Sequence, residues 1–403
     1  MHIPAWFKHL LFAVAVALAV PGCSTPSRLP AAPQSASVQI EPAPTTVRYL
    51  VSRETDSFAQ EARNALDREK AWLASQGQSG ALPPAYYLAI SGGGDNGAFG
   101  AGLLNGWTAA GTRPEFKVVT GVSTGALIAP FAFLGPKYDP VLEKVYTTSS
   151  QRDIFKKRGL IKGVFSDGMA DTRPLAKLIA SYVNQEFLDE IAAQRARGRL
   201  LLVGTANLDT LEPVIWDMTA IASSRAPNAV ALFRSILLAS ASIPGAFPPV
   251  MIEVNAEGAP HAEMHVDGGT MAQVFLYPPS FKFSKTDPAL QRKRIVYIIR
   301  NARLDADWAS VERRTLSIAT RAIASLTRTQ GIGDLHRIYL TARRDGIDFN
   351  LAFIPASFNT PHHEEFDTNY MKALFATGKE MAEAGYQWQK YPPGFEPDVE
   401  PAP

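Results

Sequence analysis

Tyr86-Tyr87-Leu88-Ala89-Ile90-Ser91-Gly92-Gly93-Gly94-Asp95-Asn96-Gly97-Ala98 is the stretch on which the fold turns. An apolar run ending in three consecutive glycines reads as a buried strand entering a turn whose backbone N–H groups lie open to a ligand. About one helix later stands Gly121-Val122-Ser123-Thr124-Gly125. Phe116 to Thr120 predicts a short strand before it, and Ala126 to Leu134 an apolar helix after it. Strand, tight turn and helix make the setting a nucleophile elbow requires, so Ser123 is a candidate nucleophile. Between the two motifs, the small residues from Ala98 to Ala110 include Gly100, Gly102 and Gly106. Each glycine costs about 1 kcal/mol in a helix interior, which predicts a helix packed closely against a sheet.

A dinucleotide site is the competing reading. Gly92, Gly94 and Gly97 have the G-x-G-x-x-G spacing, and Glu115 stands roughly 20 residues on, before a strand. Such a site has no use for the serine elbow that follows. A nucleophilic serine does need a base. Met264-His265-Val266-Asp267-Gly268-Gly269 is a short strand that delivers an aspartate into a Gly-Gly turn. Asp-Gly-Gly alone reads equally well as a plain turn, but a carboxylate in a dry site has the proton affinity to act on a hydroxyl within reach.

The 46% hydrophobic and 19% charged composition over 403 residues is that of a globular chain able to bury a large core. A formal charge of +2 with no basic stripe argues against nucleic acid and for small or lipidic substrates. Lys8 precedes an unbroken apolar run from Leu10 to Val20, too short for a bilayer, and then come Val20-Pro21-Gly22-Cys23-Ser24. That is a secretory leader over residues 1–22. Cys23 is the chain's one cysteine, so no internal disulfide explains it. Its setting resembles a bacterial lipoprotein box, which implies lipidation of Cys23, and Ser24 is compatible with outer-membrane sorting. Residues 23–46, rich in Pro, Ala, Ser and Thr, then read as the lipidated cysteine and a disordered tether.

Residues 47–84 carry an amphipathic helix from Ser57 to about Ser75. Further on, Asp171 or Thr172 caps a helix from Leu175 to Val183. Arg199 to Thr205 is a buried strand, and Pro213 to Met218 pairs with it as an edge strand or hairpin. A helix from Ala229 to Leu238 runs into a rigid turn with three prolines, Pro244, Pro248 and Pro249. Arg294 to Arg300 is another strand, and Trp308 to Thr329 a long helix. Ile338 to Thr341 and Phe349 to Ile354 read as strands around an Asp345-Gly346 turn, and Thr368 to Trp388 as a final amphipathic helix. His362-His363-Glu364-Glu365 lacks the helical histidine pair of a metal site and reads as a loop; no metal or cofactor is called for.

The glycine loop, the Ser123 elbow, the Ala239 to Pro249 segment and Asp267-Gly268-Gly269 occur in the order seen in patatin-like phospholipases, which this chain resembles over residues 85–300. The resemblance implies an α/β, three-layer fold whose central, mostly parallel sheet is flanked by helices, with residues 301–403 packed on the same domain. It implies a lipid acyl hydrolase with a Ser123–Asp267 dyad, no histidine, an acyl-serine intermediate and an oxyanion hole from the Gly92, Gly93 and Gly94 amides. A phospholipid or another acyl ester would be the substrate, met at the bacterial envelope. Where the family's loop carries Arg or Lys, this chain has Asn96. Two other classes stay open: an α/β-hydrolase triad using His336, His362 or His363, and a non-catalytic lipid-binding or envelope scaffold.

Overall fold

The computed structural model of the protein describes residues 26–33, 38–40, 46–51, 54–159, 166–283, 292–306 and 308–395. The leader and Cys23 lie outside the described residues. The described strands are β1 (Val38–Gln39), β2 (Arg48–Leu50), β3 (Ala85–Ile90), β4 (Val118–Val122), β5 (Lys156–Lys157), β6 (Ala170–Asp171), β7 (Leu200–Asn207), β8 (Glu212–Asp217), β9 (Val250–Ala256), β10 (Ala259–Asp267), β11 (Arg294–Arg300) and β12 (Ile347–Phe353). Six helices matter below: α1 (Thr55–Ser75), α2 (Gly97–Ala109), α3 (Thr124–Leu134), α4 (Ala229–Ser240), α5 (Thr315–Asp345) and α6 (Thr368–Glu383).

Ten strands form one sheet, and β5 pairs with β6 apart from it. Strands β12, β11, β3, β4 and β7 lie side by side and parallel. Leu88, Ala89 and Ile90 of β3 are fully buried, as are Leu201, Leu202 and Val203 of β7. That is the near-continuous apolar reading of strands covered by helices on both faces. Beyond β7 the sheet turns antiparallel: β8 takes one edge of β7 over Leu202–Asn207, and β2 covers β8. The other edge of β7 is shared. β4 pairs with it as far as Val122↔Gly204, and β10 takes over from Asp267↔Thr205. β4 runs parallel to β7 and β10 antiparallel, so the C-terminal ends of β4 and β10 meet head to head.

Four expectations need correction. Residues 26–33 and 38–40 of the expected tether lie against the domain: β1 pairs with β9, Arg28 bridges to Asp209 at 2.8 Å, and the Pro30 carbonyl accepts the Ala262 amide. The outer edge of β9 would otherwise present unpaired backbone groups, and this segment covers it. The predicted helix 308–329 runs instead from Thr315 to Asp345 and absorbs the predicted strand Ile338–Thr341. Leu335, Ile338, Tyr339 and Ala342 are buried at i, i+3, i+4 and i+7, so the helical period prevails over a four-residue apolar run. The last helix stops at Glu383, short of Trp388. Finally, two of the α2 glycines face a helix and not the sheet. A Cβ at Gly102 or Gly106 would overlap the carbonyls of Phe375 and Lys379 on α6, and Gly378 is crowded in turn by the Phe99 carbonyl.

Gly102→Ala therefore cannot be absorbed by a flexible side chain. We expect it to destabilise the fold by about 2 kcal/mol or more, at the upper end of overpacking costs, as measured by urea denaturation.

Candidate active site

Strands β3 and β4 each place one part of the site at their C-terminal ends. β3 runs into Gly92, Gly93 and Gly94, then a single 3-10 turn (Gly94–Asn96) opens α2. β4 runs into Ser123, which caps α3. Ser123 holds φ 56° and ψ −128°, a conformation that costs a non-glycine residue about 1–3 kcal/mol. Its flanking glycines let the helix return that sharply: a Cβ at Gly121 would strike the Gly125 carbonyl, and a Cβ at Gly125 would strike that of Ile90. The strain is held by Ser240 at the end of α4. Its hydroxyl accepts the Ser123 amide at 3.0 Å and donates to the Gly204 carbonyl on β7 at 2.7 Å.

The head-to-head meeting of β4 and β10 brings Asp267 to Ser123. Asp267 is buried, its amide donates to the Ser242 carbonyl at 2.9 Å, and its Oδ1 accepts the Gly269 amide at 2.7 Å. Burial pushes its carboxyl up from the ordinary 3.8 to about 6, while hydrogen bonding from the Ser123 hydroxyl and the Gly269 amide pulls it back. The result is a carboxylate basic enough to take a proton and ionised at neutral pH.

The three glycine amides are not equivalent. The Gly92 N–H donates to the Gln273 carbonyl at 3.0 Å and is spent on structure. The Gly93 and Gly94 N–H groups have no protein acceptor among the described residues, and Gly94 lines the cavity beside Ser123. The anion cradle expected from Gly92, Gly93 and Gly94 thus reduces to the last two. Gly93, at φ 157°, sits so close to the Asn301 carbonyl that no side chain fits. Asn301 in turn donates its Nδ2 to the Ser91 carbonyl at 2.9 Å and accepts the Gly100 amide at 3.0 Å. The N-termini of α2 and α3 both point their positive ends into this space.

Asn96 stands behind the loop with Oδ1 accepting the Tyr370 hydroxyl of α6 at 2.6 Å. Its neighbour Asp95 accepts the Phe366 amide at 2.8 Å and lies 2.7 Å from His362 Nε2. The histidines offered for a triad are occupied elsewhere. His362 is on Asp95, His336 Nδ1 contacts the Ile332 carbonyl of its own helix, and His363 is exposed in the loop. His265 is buried two residues from Asp267, but its nitrogens meet Thr205 at 3.0 Å and Glu263 at 3.1 Å. Among the described residues no histidine lines the cavity at Ser123.

That cavity, about 880 Å³ with its mouth included, is walled almost wholly by apolar side chains, among them Leu127, Phe131, Ile179, Leu237 and Phe247. A long hydrocarbon fits such a lining, and a charged cofactor does not. No group of acidic, histidine or cysteine residues among the described ones could hold a metal. Sequence reasoning singled out Ser123, Asp267 and the glycines but missed Ser240, Gln273 and Asn301. Ser240 was visible only as part of the proline segment.

Residues 88–278 match the family described as patatin-like phospholipase. Over this segment, just under half of its length, the chain carries a patatin-like phospholipase domain. Among solved structures it is similar to VipD from Legionella pneumophila (10% identity, 74% of this chain on 67% of that chain, TM-score 0.34). It is also similar to full-length ExoU of Pseudomonas aeruginosa in complex with SpcU (14%, 75% on 52%, TM-score 0.32) and to human GIVD cytosolic phospholipase A2 (11%, 85% on 65%, TM-score 0.35). The chain spans from about half to two thirds of the length of these proteins. No curated protein matches it.

The Asp267 environment makes a signed prediction. A carboxyl raised from 3.8 to about 6 by folding makes the native state lose stability as pH rises through that window, by up to ~3 kcal/mol once ionised. Asp267→Asn keeps the Gly269 contact and removes the charge, so it should be more stable than the parent above pH 6, converging with it near pH 4. Thermal or urea unfolding across this range is the measurement; a variant less stable at pH 8 contradicts the burial argument.

Proposed function

We propose that the protein is a serine lipid acyl hydrolase of phospholipase A type that works through a Ser123–Asp267 dyad at the bacterial envelope. The observation that carries this is a strained serine that lines an apolar cavity and is held against a buried, basic carboxylate. In the first step Ser123 Oγ attacks the ester carbonyl carbon while its proton passes to Asp267. The developing oxyanion is met by the Gly93 and Gly94 N–H groups. Each such donor supports the transition state by about 3 kcal/mol in comparable sites. The acyl chain lies in the cavity, which fixes the carbonyl over Ser123. As the tetrahedral intermediate collapses, the bond to the leaving alcohol breaks and Asp267 returns its proton to that oxygen. Water then attacks the acyl-serine with Asp267 again as base, and the fatty acid leaves as Ser123 regains its proton.

The envelope location rests on the leader and Cys23 of the sequence. Arg28, five residues after Cys23, is fixed on Asp209 just past the end of β7. At no more than about 3.5 Å per residue, a lipid on Cys23 would hold the domain close against its membrane. The non-catalytic alternative rests on Asn96 standing where the family's loop carries Arg or Lys, and Asn96 is engaged by the Tyr370 hydroxyl.

Two measurements test the reading. A fluorophosphonate probe should label the wild-type chain and not Ser123→Ala, which should retain the wild-type unfolding curve and lose ester hydrolysis by at least ~1000-fold. Full activity in Ser123→Ala would sink the assignment. Because the base must be ionised in the free enzyme, kcat/KM should fall as pH drops through about 6, and replacing His336, His362 and His363 one at a time should leave that limb in place.

A further inference from the structure

Helix α5 is longer than the sheet it packs on, and the surplus is apolar on its outer side. Its 31 residues span about 46 Å, against about 23 Å for a seven-residue strand such as β11. The helix connects β11 to β12, which run parallel, so it must return antiparallel to them with its N-terminal half passing the C-terminal edge of the sheet. Its contacts mark where it leaves the body. Gly331 packs on Arg300 at the end of β11, and Arg328 donates to the Leu304 carbonyl at 2.7 Å. Buried positions, including Asp334, Leu335, Ile338 and Ala342, all lie C-terminal to that point. From Thr315 to Gln330, about 24 Å of helix projects beyond the edge where Ser123, the glycine loop and Asn301 are gathered.

On this arm Ile318, Ile323 and Leu326 are 53%, 62% and 71% exposed, and Trp308 in the preceding segment is 87% exposed. At 100° per residue, Ile318, Ala319, Ala322, Ile323 and Leu326 fall within an arc of about 140°, opposite the face that carries Leu335, Ile338 and Ala342. An outward apolar stripe of this kind, beside a site, calls for an occupant. Between Arg313 and Gly333 the sequence has Arg313, Arg314, Arg321 and Arg328 and no acidic residue, while Glu312 just before them pairs with Arg314 at 3.2 Å. Arg314, Arg321 and Arg328 lie outside the apolar arc. An apolar stripe flanked by arginine, with an exposed tryptophan nearby, is the make-up of a helix that lies in a membrane interface and favours anionic lipid. No helix among the described residues is long and apolar enough to cross a membrane, so the arm would lie on the surface.

We infer that the N-terminal half of α5 is an interfacial arm that docks the active-site edge onto an anionic lipid surface. The inference deepens the proposed hydrolase and rests on it for its purpose. It also agrees with Arg28, which is pinned beyond the end of β7 on the same edge.

The test uses the full chain with Cys23→Ser, so that one new cysteine can be labelled with an environment-sensitive dye. Ile323→Cys places the dye on the arm. Lys70→Cys on α1 places it near the opposite edge, since α1 packs on Gly198 just before β7 begins. With vesicles of phosphatidylglycerol and phosphatidylcholine in equal parts, the dye at 323 should brighten and be quenched by brominated acyl chains, while the dye at 70 does neither. Pure phosphatidylcholine or high salt should weaken the effect several-fold, about as expected for arginine-assisted binding. In the unlabelled chain, Ile318→Ser with Ile323→Ser and Leu326→Ser should cut phospholipid hydrolysis in these vesicles about tenfold and leave a soluble short-chain ester within about twofold of wild type. Absence of quenching at 323, or equal quenching at 70, overturns the arm. So does a dimer in sedimentation that the triple variant dissolves, which would assign the stripe to a second copy. A chain that hydrolyses neither ester overturns the proposed function, and the dye still decides the arm.

Discussion

Everything in the site depends on two strands sharing one edge of a third. β4 and β10 meet end to end along β7, at Gly204 and Thr205, and because one is parallel and the other antiparallel, both present their C-termini at the same point. A parallel sheet alone brings loops together at one edge, with several ångströms of strand spacing between neighbouring ends. The head-to-head junction removes that spacing for Ser123 and Asp267. It also explains why Gly268 follows the aspartate: a Cβ there would overlap the Gly204 carbonyl at the junction. Ser240 ties both sides by bonding the Ser123 amide and that same carbonyl.

The junction concentrates unfavourable features in a few residues. Ser123 carries backbone strain, Asp267 carries a desolvated charge, and Gly93 and Gly94 leave two amides without protein acceptors among the described residues. Each is tolerable because rigid neighbours over-determine it. Asn301 fixes the glycine loop from the end of β11, Gln273 takes the Gly92 amide, and Asp334 on α5 accepts the Gln273 amide at 2.7 Å. The chain from Asp334 through Gln273 to Gly92 links the root of the projecting helix to the glycine loop beside Ser123. Residues far beyond residue 278, where the family match ends, are therefore part of how the loop is held.

What was legible in the sequence follows the same division. Gly92 to Gly94, Gly121, Ser123, Gly125 and Asp267 could be read because backbone sterics demand those residue types at fixed short spacing, and the parallel, helix-covered sheet followed from unbroken apolar runs. Ser240, Gln273 and Asn301 could not, since an ordinary polar residue gains its role only from a partner far along the chain, at 117 positions for Ser240 to Ser123. Residues 26–33 and 38–40 were misread because Pro, Ala and Ser give no sign of an open strand edge waiting elsewhere. The start of α5 was misplaced for a related reason: apolar periodicity locates helices that bury a face, and this one exposes its apolar face over half its length.

The exposed half of α5 and the buried cavity at Ser123 are two parts of one physical problem. A lipid ester offers its carbonyl at a water interface while its chain stays in hydrocarbon, so a soluble site must supply a second hydrocarbon environment and a way to reach it. The cavity supplies the first, walled by Leu127, Phe131, Ile179 and Phe247 down to Ser123 itself. Drawing a chain into it exchanges one apolar environment for another, so cavity burial yields little net driving force relative to the bilayer. Binding must then be gained where protein surface that is apolar in water becomes buried in lipid. Ile318, Ile323 and Leu326 are that surface, and they project from the edge at which the strands leading to Ser123 and the glycine loop end.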